Sequence, residues 1–177
     1  MKKLVSILIA CFPLAIFAQT EPLTKQQDFA QMVGFFGDRV VQLAEAIPED
    51  KYDWAPNDEV RSVGGSIVHI AQGNYFMAML LDVPPPAGMD LMNMNADGKS
   101  KKEIITLLKE SITAVQEAGM AFPDEKMMDE FSFPGDTTKY NKGKVFFIAN
   151  GHLNEHLGQL IAYARMNKIT PPWSLQE

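Results

Sequence analysis

GKVFFIANGHLNEHLGQLIAYAR, residues 143–165, is the stretch whose reading decides the fold. Val145, Phe146, Ile148, Ala149, Leu153, Leu157, Leu160, Ile161 and Ala164 recur in it at three- and four-residue steps, the period of a helix with one buried face. His152 and His156 lie one turn apart on the same helix, so both imidazoles can reach a single point beside it. That is metal-ligand spacing. The pattern stops before Pro171 and Pro172, which cannot continue a helix.

Three other stretches read the same way. A first helix starts from Thr24 as N-cap with Gln27 three residues on, carries Phe29, Met32, Val33, Phe36, Val40, Leu43, Ala44 and Ile47, and ends at Pro48. Tyr52, Trp54 and Pro56 in the following connector are expected to pack down on the bundle as a plug. A second helix opens at Arg61 or Ser62, holds His69 in its body and runs until Pro84-Pro85-Pro86. Gln72 and Gly73 follow His69 at +3 and +4, an amide able to hydrogen-bond the imidazole and a residue that does not crowd it. A third helix starts at Ser100 with Glu103 completing a capping box, buries Ile104, Leu107, Leu108, Ser111, Ile112 and Val115, and is expected to fray near Gly119. Residues 84–99 read as a loop, residues 124–129 as a short helical turn, and residues 130–133 as extended chain before a Pro134-Gly135 turn. The fold class is therefore all-α: a four-helix bundle with long connections and a site built from facing side chains.

Residues 1–18 fall outside that pattern. Lys2 and Lys3 followed by the apolar run Leu4–Phe17 read as a signal peptide cut before Gln19, leaving residues 19–177 as one domain. Leu8-Ile9-Ala10-Cys11 also resembles a lipobox, which would anchor a lipoprotein at Cys11. The apolar Phe12–Phe17 tail behind that cysteine is unlike the polar linker such proteins carry. An export segment places the protein in the periplasm or another extracytoplasmic space. If Cys11 is removed with it, cysteine chemistry and disulfides go too. Loss of Lys2 and Lys3 takes the formal charge from −6 to −8, which argues against nucleic acid as a partner. No later segment reads as a membrane span.

The chain has three histidines, and all of them fall on helical patterns. If His69, His152 and His156 meet, they leave positions of a divalent ion open to water or substrate, and zinc would lower the pKa of such a water to roughly 7. Glu155, at +3 from His152, is a candidate base. Gln159 and Tyr163, at +3 and +7 from His156, are candidates for orienting ligands or substrate. His152-x-x-Glu155-His156 also fits the H-x-x-E-H signature of inverted zinc peptidases, but without their large domain the match is accidental. A di-iron bundle would need Glu-x-x-His, and Ser66, Ala149 and Leu153 stand where those glutamates belong.

Trp54-x-Pro56 ahead of Ser62, Ser66-Ile67-Val68-His69-Ile70, and His152-x-x-x-His156-x-Gly158-Gln159-Leu160-x-x-Tyr163-x-Arg165 before Pro171-Pro172 together resemble the DinB family of DinB/YfiT-like bundles. The resemblance covers nearly all of residues 19–177. It implies an up-up-down-down-like four-helix bundle, often a homodimer, with a divalent metal, zinc or nickel, on His69, His152 and His156. It also implies a metal-dependent hydrolase or transferase acting on a small-molecule substrate that the resemblance leaves open. Some relatives use low-molecular-weight thiols in the cytoplasm, and the export segment departs from them. The alternative is a non-catalytic metal-binding or stress-protection bundle, for which Met89, Met92 and Met94 offer Cu(I)-type thioethers or, more plainly, loop cover. A third reading is a bundle that only mediates assembly, its histidines serving as polar core.

Overall fold

In the computed structural model, residues 22–175 are described. The expected signal peptide, Cys11 and the cut before Gln19 lie outside the described residues. Four helices form the body: α1 (Lys25–Ala46), α2 (Val63–Leu80), α3 (Lys101–Ala121) and α4 (Lys144–Met166). Their starts have local causes. Thr24 with Gln27 and Ser100 with Glu103 form capping boxes, and the Ser62 hydroxyl accepts the N–H of Gly65.

Two helix ends differ from expectation. α2 stops at Leu80, short of the prolines, because Asp82 adopts a left-handed φ of 68° and turns the Val83 N–H back onto the Ala78 carbonyl at 3.0 Å. The Asp82 carboxylate then pairs with Lys126 and Lys142, and those partners hold its pKa below the usual carboxylate range. α3 does not fray at Gly119. It continues to Ala121, and Gly119 is instead the place where the Phe29 ring of α1 lies against it.

Cross-helix contacts set the directions. Gly119 against Phe29 and Lys109 against Glu45 make α1 and α3 antiparallel. Gly64 against Ile104 and Asn74 against Ser111 make α2 and α3 parallel. Phe146 stacks on Phe29 at 4.3 Å while Tyr163 meets Trp54 beyond the far end of α1, so α4 runs with α1. Gly73 facing His152 and Arg61 facing Tyr163 set α4 against α2. The order is up-down-down-up, not the up-up-down-down that the family resemblance implied. The reversal after α1 is tight: Tyr52 donates its hydroxyl to Ala44 at 2.8 Å, and its carbonyl accepts the Gly64 N–H at 2.8 Å. The crossover between α2 and α3 consequently runs the length of the bundle.

Leu43, Ile67, Ile70, Leu108, Leu153 and Leu160 are at most 1% exposed and form the middle of the core. Burying each contributes roughly 1.5–3 kcal/mol. Of the expected plug, Tyr52 is buried and Trp54 half-buried, but Pro56 is exposed. The extended stretch before α4 belongs to a small antiparallel hairpin, β1 (Glu130–Phe131) paired with β2 (Tyr140–Asn141), the second strand of which has no alternating pattern to announce it. Among the described residues no helix is long and apolar enough to cross a membrane.

Candidate metal centre

His69 on α2 and His152 and His156 on α4 come together between the two helices, their potential ligand nitrogens all within 4.8 Å of one another. Ring centroids lie 4.6 to 5.0 Å apart. The Nε2 atoms of His69 and His152 are 3.3 Å apart. Two nitrogens each about 2.0–2.1 Å from a tetrahedral ion are separated by roughly 3.3 Å, so this pair already has the spacing of co-ligands.

Two glutamines decide which ring nitrogen is free. Gln72 donates its amide N–H to the carbonyl of Leu91 in the crossover, which leaves its Oε1 facing His69 Nδ1 at 3.3 Å. Gln159 donates to the Tyr163 hydroxyl at 2.9 Å, leaving its Oε1 at 2.8 Å from His156 Nδ1. The Tyr163 hydroxyl donates in turn to the carbonyl of Arg61 at 3.3 Å. Each amide oxygen therefore calls for an N–H at Nδ1, and the Nε2 lone pair is left free, the arrangement in which a second partner orients a ligating imidazole. Both are hydrogen bonds within one helix; the sense of the first comes from Leu91 outside α2, and that of the second from Tyr163 on α4 itself, whose hydroxyl is tied to Arg61 outside it.

Room for the cluster comes from Gly73. A Cβ there would stand 2.3 Å from Cε1 and 2.7 Å from Nδ1 of His152. The glycine makes space for the histidine of the opposite helix, not for His69 as its spacing on α2 implied. Electrostatics favour the neutral rings. Burial pushes His152 down to about 4, aided by His156, His69 and Arg61. Burial also lowers His69, with Arg61 adding to the shift and the Gln72 bond opposing it. Uncharged imidazoles at neutral pH keep the lone pairs that a cation needs. Donor type, spacing, tautomer and the cleared volume at Gly73 all fit a divalent ion.

The remaining sequence candidates are distributed differently. Tyr163 is buried and edge-on to Trp54 at 5.5 Å, so it supports Gln159 and does not face the cluster directly. Glu155 is exposed and hydrogen-bonds none of the three histidines, although its charge is felt at His69. Met94 packs on the core, Met89 is half-buried and Met92 is 80% exposed, so the loop methionines are partly cover and partly solvated. Sequence reasoning missed Arg61 and the Leu91 carbonyl. Arg61 stands ahead of the Ser62 N-cap, so the period of α2 does not place it, and nothing in the letters marks a backbone carbonyl.

A model of the DinB superfamily matches residues 36–160. No curated protein matches the chain. Among solved structures, a DinB-like protein from Bacillus cereus is similar over 81% of this chain and 93% of its own, with TM-score 0.67 and 16% identity. The DinB-like YjoA of Bacillus subtilis is similar over 79% and 93%, with TM-score 0.60 and 20% identity. YfiT of Bacillus subtilis, described as a probable metal-dependent hydrolase with an unusual four-helix bundle topology, is similar over 90% and 98%, with TM-score 0.67 and 13% identity. At these identities the likeness is one of fold.

Proposed function

This chain belongs to the DinB superfamily, and on that premise we propose that it binds a divalent ion, zinc or nickel, through His69, His152 and His156 and acts as a metal-dependent hydrolase or transferase on a small molecule. The observation that carries the proposal is the pair of amide relays, Leu91–Gln72–His69 and Arg61–Tyr163–Gln159–His156, which turn imidazole lone pairs toward one point. The description of YfiT as a probable metal-dependent hydrolase supports the same reading. A divalent ion held there supplies a Lewis acid for a substrate oxygen or thiol. Gln72 and Gln159 hold the imidazoles in the competent tautomer, and the half-buried setting limits water around them. Glu155, the carboxylate on the exposed turn between His152 and His156, is the residue to accept a substrate proton. Export of residues 19–177 after loss of residues 1–18, and a homodimeric state, belong to the same proposal and rest on the sequence pattern and the resemblance.

The test is elemental analysis of the purified protein, with titration by zinc and nickel. About one ion per chain in the wild type and none in His152→Ala, with the helical circular dichroism retained, is the expected result. A wild-type protein that neither carries metal nor takes it up ends the proposal. A non-catalytic metal-binding role is favoured by one feature: among the described residues no carboxylate hydrogen-bonds the cluster. An unchanged profile in a broad hydrolase and thiol-transferase screen of the loaded protein would select it.

A further inference from the structure

We infer that Arg61 is the anion-recognising residue of this site, holding the carboxylate or phosphate of a small substrate whose reacting end lies at the imidazole cluster. The inference rests on the metal reading above and deepens it by naming a substrate class. Two routes through the structure lead from the histidines to this one residue. Along α4, His156, Gln159 and Tyr163 are linked by hydrogen bonds that end on the Arg61 carbonyl. Along α2, Gly65 lies one turn before His69, and a Cβ at Gly65 would stand 3.5 Å from Cβ of Arg61. Gly65 thus lies against the base of the Arg61 side chain, one turn from His69.

The guanidinium itself is available. Arg61 is exposed, and among the described residues its side chain has neither an ion-pair nor a hydrogen-bond partner, whereas its backbone is tied down. Its backbone carbonyl, tied through Tyr163 and Gln159 to His156, holds the base of the side chain beside the cluster. A planar guanidinium binds a carboxylate or phosphate through two parallel N–H bonds, which fixes orientation as well as position. The chain carries a net charge of −6, so an anionic substrate is not drawn in by the surface at large and depends on a local cation.

The experiment uses the purified protein loaded with Co(II), whose visible absorption reports changes around the ion. Acetate and methyl phosphate are titrated as probes, with acetamide as the uncharged counterpart, against wild type, Arg61→Gln and Arg61→Lys. The expected result is equal Co(II) uptake in all three proteins and a spectral change with both anions but not with acetamide. The half-saturating anion concentration should rise roughly ten- to a hundredfold in Arg61→Gln, the scale of a lost charge-assisted contact, and recover in part in Arg61→Lys. Equal Co(II) uptake with unchanged anion affinity in Arg61→Gln overturns this inference and leaves the metal reading standing. So does an absence of any anion response in the loaded wild type. Failure of the wild type to bind Co(II), zinc or nickel removes both.

Discussion

Gly119 on α3 and Gly73 on α2 solve the same packing problem with opposite consequences. Each sits where a ring from a facing helix presses on the backbone: a Cβ would meet Phe29 at 2.0 Å in the first case and His152 at 2.3 Å in the second. Phe29 is 3% exposed and stacked on Phe146, so its glycine lets two helices close on hydrocarbon and the whole return is stability. His152 is only partly buried and ends in the imidazole cluster, so its glycine positions a polar ring that stability does not require. One device serves the core at one interface and the chemistry at the other.

Substitutions at the two glycines should therefore separate along different axes. The largest effect is expected from Gly73→Ala: displacement of the His152 ring should weaken zinc binding by about a hundredfold, the upper range for disturbing ligand orientation. Its thermal midpoint should barely change, since alanine is the better helix former by roughly 1 kcal/mol, which offsets the displacement of a half-buried ring. Competition with a chelating dye and a thermal melt measure the two quantities. Gly119→Ala should do the reverse, costing about 1–2 kcal/mol in urea unfolding through overpacking, with metal affinity unchanged. If Gly73→Ala lowers stability more than Gly119→Ala does, the contrast is wrong.

Smaller effects refine it. Gln159→Ala should lower metal affinity about tenfold, because His156 loses the acceptor that orients it. Tyr163→Phe, which leaves Gln159 in place but removes its partner, should cost less; a larger loss in Tyr163→Phe would mean that the relay does not act through Gln159.

A pH dependence is confined to the histidine side. In metal-free protein His152 is held down to about 4, whereas a histidine in the unfolded chain titrates near 6.5. As pH falls, the unfolded state takes up this proton first, so the contribution is complete above about 6.5 and is lost on the way down to about 4. Discounted for partial exposure, the change is on the order of 2 kcal/mol. Urea midpoints at pH 7.5, 5.5 and 4.5 should decline in the wild type and decline less in His152→Gln. An equal decline would place the titration elsewhere.

Much of the fold was legible because its signals are local. Thr24 with Gln27 and Ser100 with Glu103 satisfy backbone groups three residues away, and the apolar stripes of α1, α3 and α4 repeat within a single helix. The end of α2 was misplaced because its stop depends on Asp82 turning left-handed and pairing with Lys126 and Lys142, partners forty to sixty residues distant. The hairpin was half seen for the same reason, since Tyr140 and Asn141 are strand only by virtue of Glu130 and Phe131.

The candidate site divides along that line too. The sequence alone determined that His152 and His156 share a helix face, that His69 lies within another helix, and that Gln72 and Gln159 each stand one turn beyond a histidine, because helical period couples residues three and four apart. Only the tertiary structure decided that the three rings meet and that Gly73 makes room for His152. It also decided that the Leu91 carbonyl sets Gln72 and that the Arg61 carbonyl accepts from Tyr163 behind Gln159. Those outcomes depend on the rotation and register of α2 against α4 and on the path of the crossover, which are set by how whole surfaces pack and by no short-range rule along the chain.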